Sequence, residues 1–238
     1  ATGVGRLLRE RPVAAQLAGA TFAVWNPFVA ERLVLGQWPL LLAAASIPWL
    51  IAALTDPEGP RWTIVVIALA GTALSPATGL MGLLVGVVAA GRTRILPVAC
   101  LAALLNAPWI VAGLLHTGAQ SDPAAVGLFE VQGEGRFGRL GSALTLGGIW
   151  NTEVVPTSRT LGLALFVSVA LGLVIIVGLV TLWRGDRRLF GALAPVAAIG
   201  LGVALAGWLA PDLVRSIVSD VPGGGLVRDG TRWLALLV

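Results

Sequence analysis

Long apolar runs alternate with short basic clusters along this chain, and each basic cluster sits at the end of a run. Arg6, Arg9 and Arg11 precede the first run. Arg92 and Arg94 separate two others, and Arg184, Arg187 and Arg188 separate two more. The runs hold roughly 17–25 nearly uncharged residues, about the length of helix that crosses a ~30 Å hydrocarbon core. The pattern predicts an all-α fold, a polytopic transmembrane helix bundle of about six or seven membrane segments, one of them broken or hairpin-like. Residues 1–238 read as a single transmembrane helical domain, with residues 116–159 as an extracytoplasmic loop subregion.

The first run covers residues 12–30 and ends in Trp25-Asn26-Pro27-Phe28, where the Asn-Pro step disfavours helix at the asparagine. Residues 31–38 form a short amphipathic segment, residues 39–54 a second run, and residues 56–61 a loop. Residues 62–91 carry no charge and are too long for one upright helix. Ser75-Pro76-Ala77-Thr78-Gly79 lies at their centre, so the stretch is either one broken helix or a hairpin of two short ones. A hairpin gathers Arg6–Arg11, Arg61, Arg92 and Arg94 on one side. Counting on through single crossings at 95–115 and 161–183 brings residues 184–188 there too. The tendency of arginine to stay on the cytoplasmic side therefore favours the hairpin. Four segments then face outward: 26–37, 75–79, 116–159 and 211–232. Loop 116–159 is rich in apolar residues and reads as ordered, with at least one short helix. Trp25, Trp38, Trp150 and Trp183 fall near predicted water boundaries. Gly162, Gly172, Gly178, Gly200, Gly202 and Gly207 suit close packing within spans.

Composition supports a membrane reading. Apolar residues make up 57% of the chain and charged residues 12%, about half the charge of a soluble domain. A soluble core could not enclose five or six helices that are apolar on every face, so lipid is the expected covering. The net charge of +4 comes from sixteen arginines and no lysine. Because the arginines flank the runs, they read as topology and not as a nucleic-acid surface. The lone Cys100 reads as a small buried hydrophobe. The chain stops at Val238 a few residues into a further apolar run, the pattern of a fragment of a larger chain. Its expected partners are membrane lipids and either the rest of the same chain or other membrane subunits.

Candidate chemistry lies on the segments predicted to face outward. Glu31 and Arg32 are either ordinary charges at headgroup level or a polar rim, with Arg32 for a phosphate and Glu31 as acid/base or metal ligand. Around Gly147-Gly148-Ile149-Trp150-Asn151-Thr152-Glu153, a tryptophan can stack on a sugar while Asn151 and Glu153 bond its hydroxyls; the alternative is an ordered loop capped by Arg159. In the stretch 221–233, three glycines precede Arg228-Asp229-Gly230. They form either a backbone nest for an anion or a turn before a helix. With one histidine, His116, and one cysteine, a zinc site within this stretch is not expected, and a divalent ion would bind outside it.

Taken in order, these motifs carry a resemblance. They are Asn26-Pro27-Phe28, Glu31-Arg32, Gly36-Gln37-Trp38, the Ser75-Pro76 break, Gly147-Gly148-Ile149-Trp150-Asn151, and Gly223-Gly224-Gly225 with Val227-Arg228-Asp229-Gly230 and Arg232-Trp233. Together they resemble large actinobacterial membrane proteins similar to GT-C-type glycosyltransferases, including the arabinofuranosyl- and mannosyltransferases of the cell envelope. The resemblance implies a many-helix bundle in the bacterial plasma membrane. It also implies a lipid-linked donor, a polyprenyl-phosphate sugar, and a carboxylate base on the extracytoplasmic face. Glu31 is the acidic residue available for that role, and Arg32, Trp150, Asn151, Glu153, Arg228 and Asp229 would line the substrate site. Two other classes compete: a transporter or flippase of lipid-linked envelope precursors, and a non-catalytic membrane scaffold.

Overall fold

A computed structural model describes residues 1–115 and 122–238; His116 lies outside the described residues. Among those described the chain is all-helical, without strands. It divides into two compact units, residues 1–120 with Val238 and residues 121–237.

The first unit holds α1 (Thr2–Leu7), α2 (Val13–Val24), α3 (Pro27–Val34), α4 (Trp38–Leu54), α5 (Trp62–Thr72), α6 (Pro76–Ala90), α7 (Ile95–Leu105) and α8 (Ala107–Leu115). Small polar side chains mark the helix breaks. The Asn26 amide donates to the Phe22 carbonyl of α2 at 2.8 Å, and its Oδ1 accepts the Val29 N–H of α3 at 3.0 Å. One side chain thus satisfies backbone groups on both sides of the interruption. Ser75 caps α6, with Pro76 in the first helical position.

The stretch 62–91 is the hairpin. Leu69 lies against Gly86, and Thr72 lies against Gly82, the register of two antiparallel helices. The Trp109 indole N–H donates to the Ala73 carbonyl at 2.8 Å, satisfying an acceptor left over where α5 ends. The segment 95–115, read from sequence as one span, is instead broken at Asn106, with a bend of 64°. Its amide donates to the Ala102 carbonyl at 2.9 Å, while its Oδ1 occupies the space a Cβ on Gly79 would need.

One end of this unit is basic. Arg6, Arg9 and Arg61 converge on Asp56 Oδ2 at 3.6, 3.9 and 2.9 Å. The α5–α6 hairpin returns Arg92 and Arg94 to the Arg61 end.

The second unit is built on α10 (Gly162–Gly185) and α11 (Arg187–Leu209), which pack together and meet at Asp186. The Asp186 carboxylate caps α11 by accepting the Leu189 N–H at 2.9 Å, and Arg184, Arg187 and Arg188 crowd this turn. The other end of α11 carries a folded cap that includes α9 (Gly138–Leu144) and α12 (Pro211–Asp220). Val131 and Ala143 pack with Leu205, Leu201 and Trp208. Val126 packs with Val214, Val218 and Ala206. The apolar stretch after Arg232, read from sequence as the start of a span, belongs to a 3-10 helix, Gly230–Leu236. It lies against α11, where Gly200 and Gly230 admit the neighbouring backbone.

Among the described residues, three helices are long and apolar enough to cross a membrane: Val13–Val34 (counted through the Asn26 break), Gly162–Gly185 and Arg187–Leu209. Counting the bent α7–α8 pair as one span makes four, not the expected six or seven. The apolar α4, α5 and α6 are shorter, because caps divide runs that composition alone joins. Two further expectations change. Cys100 is exposed on α7, since its apolar run signals exclusion from water and not enclosure by protein. Of the six glycines expected to mediate packing, Gly162, Gly172, Gly178 and Gly202 face open space, and only Gly200 and Gly207 meet a neighbour. Close approach in the first unit uses Gly71, Gly79 and Gly82 instead, against Ser46, Asn106 and Thr72.

A branched side chain at Gly82 must displace Thr72. Gly82→Val is expected to destabilise the protein by about 1–3 kcal/mol, read as a lower melting temperature in detergent. Gly113→Ala, which meets open space on α8, should leave the melting temperature unchanged or raise it.

Candidate functional site

The cap of the second unit is organised by a buried ion pair. The Glu134 and Arg159 side chains are 1% and 6% exposed, with Oε2 2.8 Å from Nε. Glu134 Oε1 accepts the backbone N–H groups of Gly148 and Ile149, the latter at 3.2 Å. Arg159 Nη2 donates to Thr145 Oγ1 at 2.8 Å, and the guanidinium lies 4.2 Å from the centroid of Phe137. Charge on both partners and donors on both carboxylate oxygens are what let such a pair stay enclosed. A Cβ on Gly147 would collide with both members of the pair, and one on Gly148 with Val131.

The same loop closes α9. Leu146 and Gly147 donate their N–H groups to the carbonyls of Ala143 and Ser142 at 3.0 and 2.8 Å. This is a Schellman cap with leucine at the left-handed position, φ 63°. The conformation costs about 1–2 kcal/mol. Burial of the leucine side chain, only 3% exposed, supplies an offset of similar size.

Trp150 emerges directly from this clamped backbone. It meets Phe129 edge to face at 5.3 Å between centroids, and the Arg228 guanidinium lies 4.9 Å from the same Phe129 ring. Trp150 is 37% exposed. The cap thus offers an indole, a phenyl ring and a cation in one cluster. Two of the three segments singled out from the sequence meet here, through a phenylalanine that sequence reasoning did not single out.

The remaining predicted residues take different places. Asn151 Oδ1 accepts the Glu153 N–H at 3.1 Å, an Asx turn, and Glu153 is exposed. Asp229 accepts from the Thr231 hydroxyl at 2.8 Å and pairs with Arg232 at 2.9 Å, holding the turn into the final 3-10 helix. Glu31 and Arg32 belong to the first unit, on α3, and each is 1% exposed. Arg32 lies over the Phe28 ring at 5.4 Å. They are not headgroup-level surface charges; they are an enclosed acid and base on adjacent residues. Enclosing them costs several kcal/mol each unless the surroundings compensate.

The Glu134–Arg159 pair was missed in the sequence because its members are 25 residues apart with no local signature. The Gly147-Gly148 pair was the available signal, since adjacent glycines mark a backbone pressed against something. Among the described residues, no three His, Cys, Asp or Glu side chains gather into a metal-ligand group. Comparison of the chain with protein-family models, with curated proteins and with solved structures gives no match.

Glu134→Gln removes the charge partner of a buried guanidinium. It is expected to destabilise the cap by about 3–5 kcal/mol, read as a lower unfolding midpoint of the purified protein. An unchanged midpoint would show that the pair does not hold the loop.

Proposed function

We propose that this chain is a membrane-embedded part of a GT-C-like glycosyltransferase. It would act at the extracytoplasmic face of a bacterial plasma membrane and move a sugar from a polyprenyl-phosphate donor to an envelope acceptor. The observation that carries this reading is the Phe129–Trp150–Arg228 cluster, set on the cap at the end of α11 away from the Arg184–Arg188 turn. An aromatic face suits a pyranose or furanose ring, and a guanidinium suits the departing lipid phosphate. The arginine-rich turn favours the cytoplasmic side, which puts the cap outside.

In this reading the donor's lipid tail lies along the exposed apolar surface of α10, about 36 Å long at 1.5 Å per residue. Its phosphate reaches Arg228, and its sugar rests on Trp150. Transfer needs a base to take the acceptor proton and a cation to hold the leaving phosphate as charge develops. Arg228 is assigned the second task. Asn151 and Glu153 contribute hydroxyl contacts from the loop, while Asp229 orients its turn.

A carrier of lipid-linked precursors is the second reading. The observation favouring it is the bent α7–α8 pair, whose Asn106 abuts the N-terminal turn of α6. Discontinuous helices of this kind line pathways in carriers.

Transfer from a radiolabelled polyprenyl-phosphate sugar, assayed with the full-length gene product in proteoliposomes, separates the two. Trp150→Ala and Arg228→Gln are each expected to lower transfer about 10–100-fold. Wild-type movement of the labelled lipid between leaflets without transfer would overturn the enzyme reading in favour of the carrier.

A further inference from the structure

The basic end of the first unit contains a built arrangement that the glycosyltransferase reading does not use. Arg6 from α1, Arg9 from the loop after it and Arg61 from the loop before α5 all approach one oxygen, Asp56 Oδ2. The Asp56 side chain is 3% exposed, while those of Arg6, Arg9 and Arg61 are 30%, 38% and 43% exposed. The carboxylate therefore sits at the base and the guanidinium groups form the mouth. Asp56 is itself fixed, because its Oδ1 accepts the Glu58 N–H at 3.2 Å.

Three guanidinium groups would repel one another if nothing held them. One carboxylate cannot match fifteen N–H donors, five on each arginine. It gathers the arginines and leaves most of their donors directed elsewhere; three positives meet one negative on Asp56 itself, and with Arg11, Glu10 and Glu58 counted the neighbourhood holds four positives against three negatives. Glu10 and Glu58, both exposed, lie beside the cluster, and Glu10 comes within 3.6 Å of Arg9. Arg11 adds a further positive charge in the same loop. The backbone N–H of Glu58, together with Arg61 and Arg9, holds the Asp56 carboxyl below its ordinary value despite its burial. It therefore stays ionised at neutral pH and keeps the arginines gathered.

The cluster also lies at a fixed depth. It is at the C-terminal end of the apolar α4 and the N-terminal end of the apolar α5, and Trp62, 41% exposed, begins α5. That is where a membrane surface meets the helices and where indole rings are favoured. We propose that Arg6, Arg9 and Arg61, gathered by Asp56, bind the headgroup phosphate of an anionic phospholipid such as phosphatidylglycerol or cardiolipin. A phosphodiester at the mouth presents its two free oxygens to the guanidinium forks, and the acyl chains run along α4 and α5. The proposal needs the helices to be membrane-embedded, and it is independent of any sugar-transfer activity.

The test uses the full-length protein in nanodiscs of phosphatidylcholine with a titrated fraction of phosphatidylglycerol, with the lipid retained after extraction into detergent counted by native mass spectrometry. Arg9→Gln and Arg61→Gln should each reduce retained phosphatidylglycerol about fivefold, and the double variant more. Arg92→Gln with Arg94→Gln removes equal charge at the same end without touching the cluster and should leave retention within twofold. Arg61→Lys keeps charge but loses the planar fork, and should fall between wild type and Arg61→Gln. Equal losses from the two double variants would overturn the proposal in favour of diffuse electrostatic attraction. Complete displacement of the lipid by millimolar inorganic phosphate would assign the site to a free anion instead. Melting temperatures of all variants within a few degrees of wild type exclude unfolding as the cause, and a collapse confined to Arg61→Gln leaves Arg9→Gln to decide.

Discussion

Every interruption of an apolar helix leaves backbone N–H and C=O groups without partners, and in surroundings poor in water each must be satisfied by the chain itself. Much of this protein's shape follows from that constraint. Asn26 serves two helices at once, Ser75 opens α6, Asn106 and Trp109 satisfy carbonyls at the ends of α7 and α5, and Asp186 starts α11. Each cap costs one small polar side chain and permits a reversal or bend inside an apolar region. The short helices of the first unit are the result. In α10 there is no proline, the Thr181 hydroxyl donates to the Val177 carbonyl within the helix, and the helix runs unbroken for 24 residues.

The cap of the second unit meets the same requirement with a charge pair. Glu134 receives two backbone N–H groups and Arg159 together, so the sharp turn through Leu146, Gly147 and Gly148 has its donors met. Removing either partner would leave the other enclosed without it. The consequence for function is positional. Trp150 follows the clamped residues with almost no slack, and a ring that must stack on a ligand loses less entropy when its backbone is already fixed.

Much of this was legible in the sequence, for identifiable reasons. Asn26-Pro27 and Ser75-Pro76 announced their breaks because proline cannot continue the preceding hydrogen-bond ladder. The hairpin over 62–91 followed from excess length, and the ordered loop before α10 from its apolar content; its described part, 122–159, does contain α9. The break at Asn106 was not read from the sequence, although Pro108, two residues on, lacks the N–H that a continuous ladder would need and was the available signal. Burial of Glu31 and Arg32 was invisible, because adjacent opposite charges on a short amphipathic helix look the same at a surface as in an interior. The Phe129 that joins Trp150 to Arg228 lies about twenty and a hundred residues from them, beyond any local pattern.

In the proposed function the α10–α11 pair crosses a membrane, with the folded cap and the arginine-rich turn on opposite sides. Single cysteines at positions 153 and 187, in a Cys100→Ser background, test it directly with a membrane-impermeant maleimide on intact cells. Glu153→Cys should be labelled from outside, and Arg187→Cys only after permeabilisation. Labelling of position 187 in intact cells, or of both positions equally, would contradict the account.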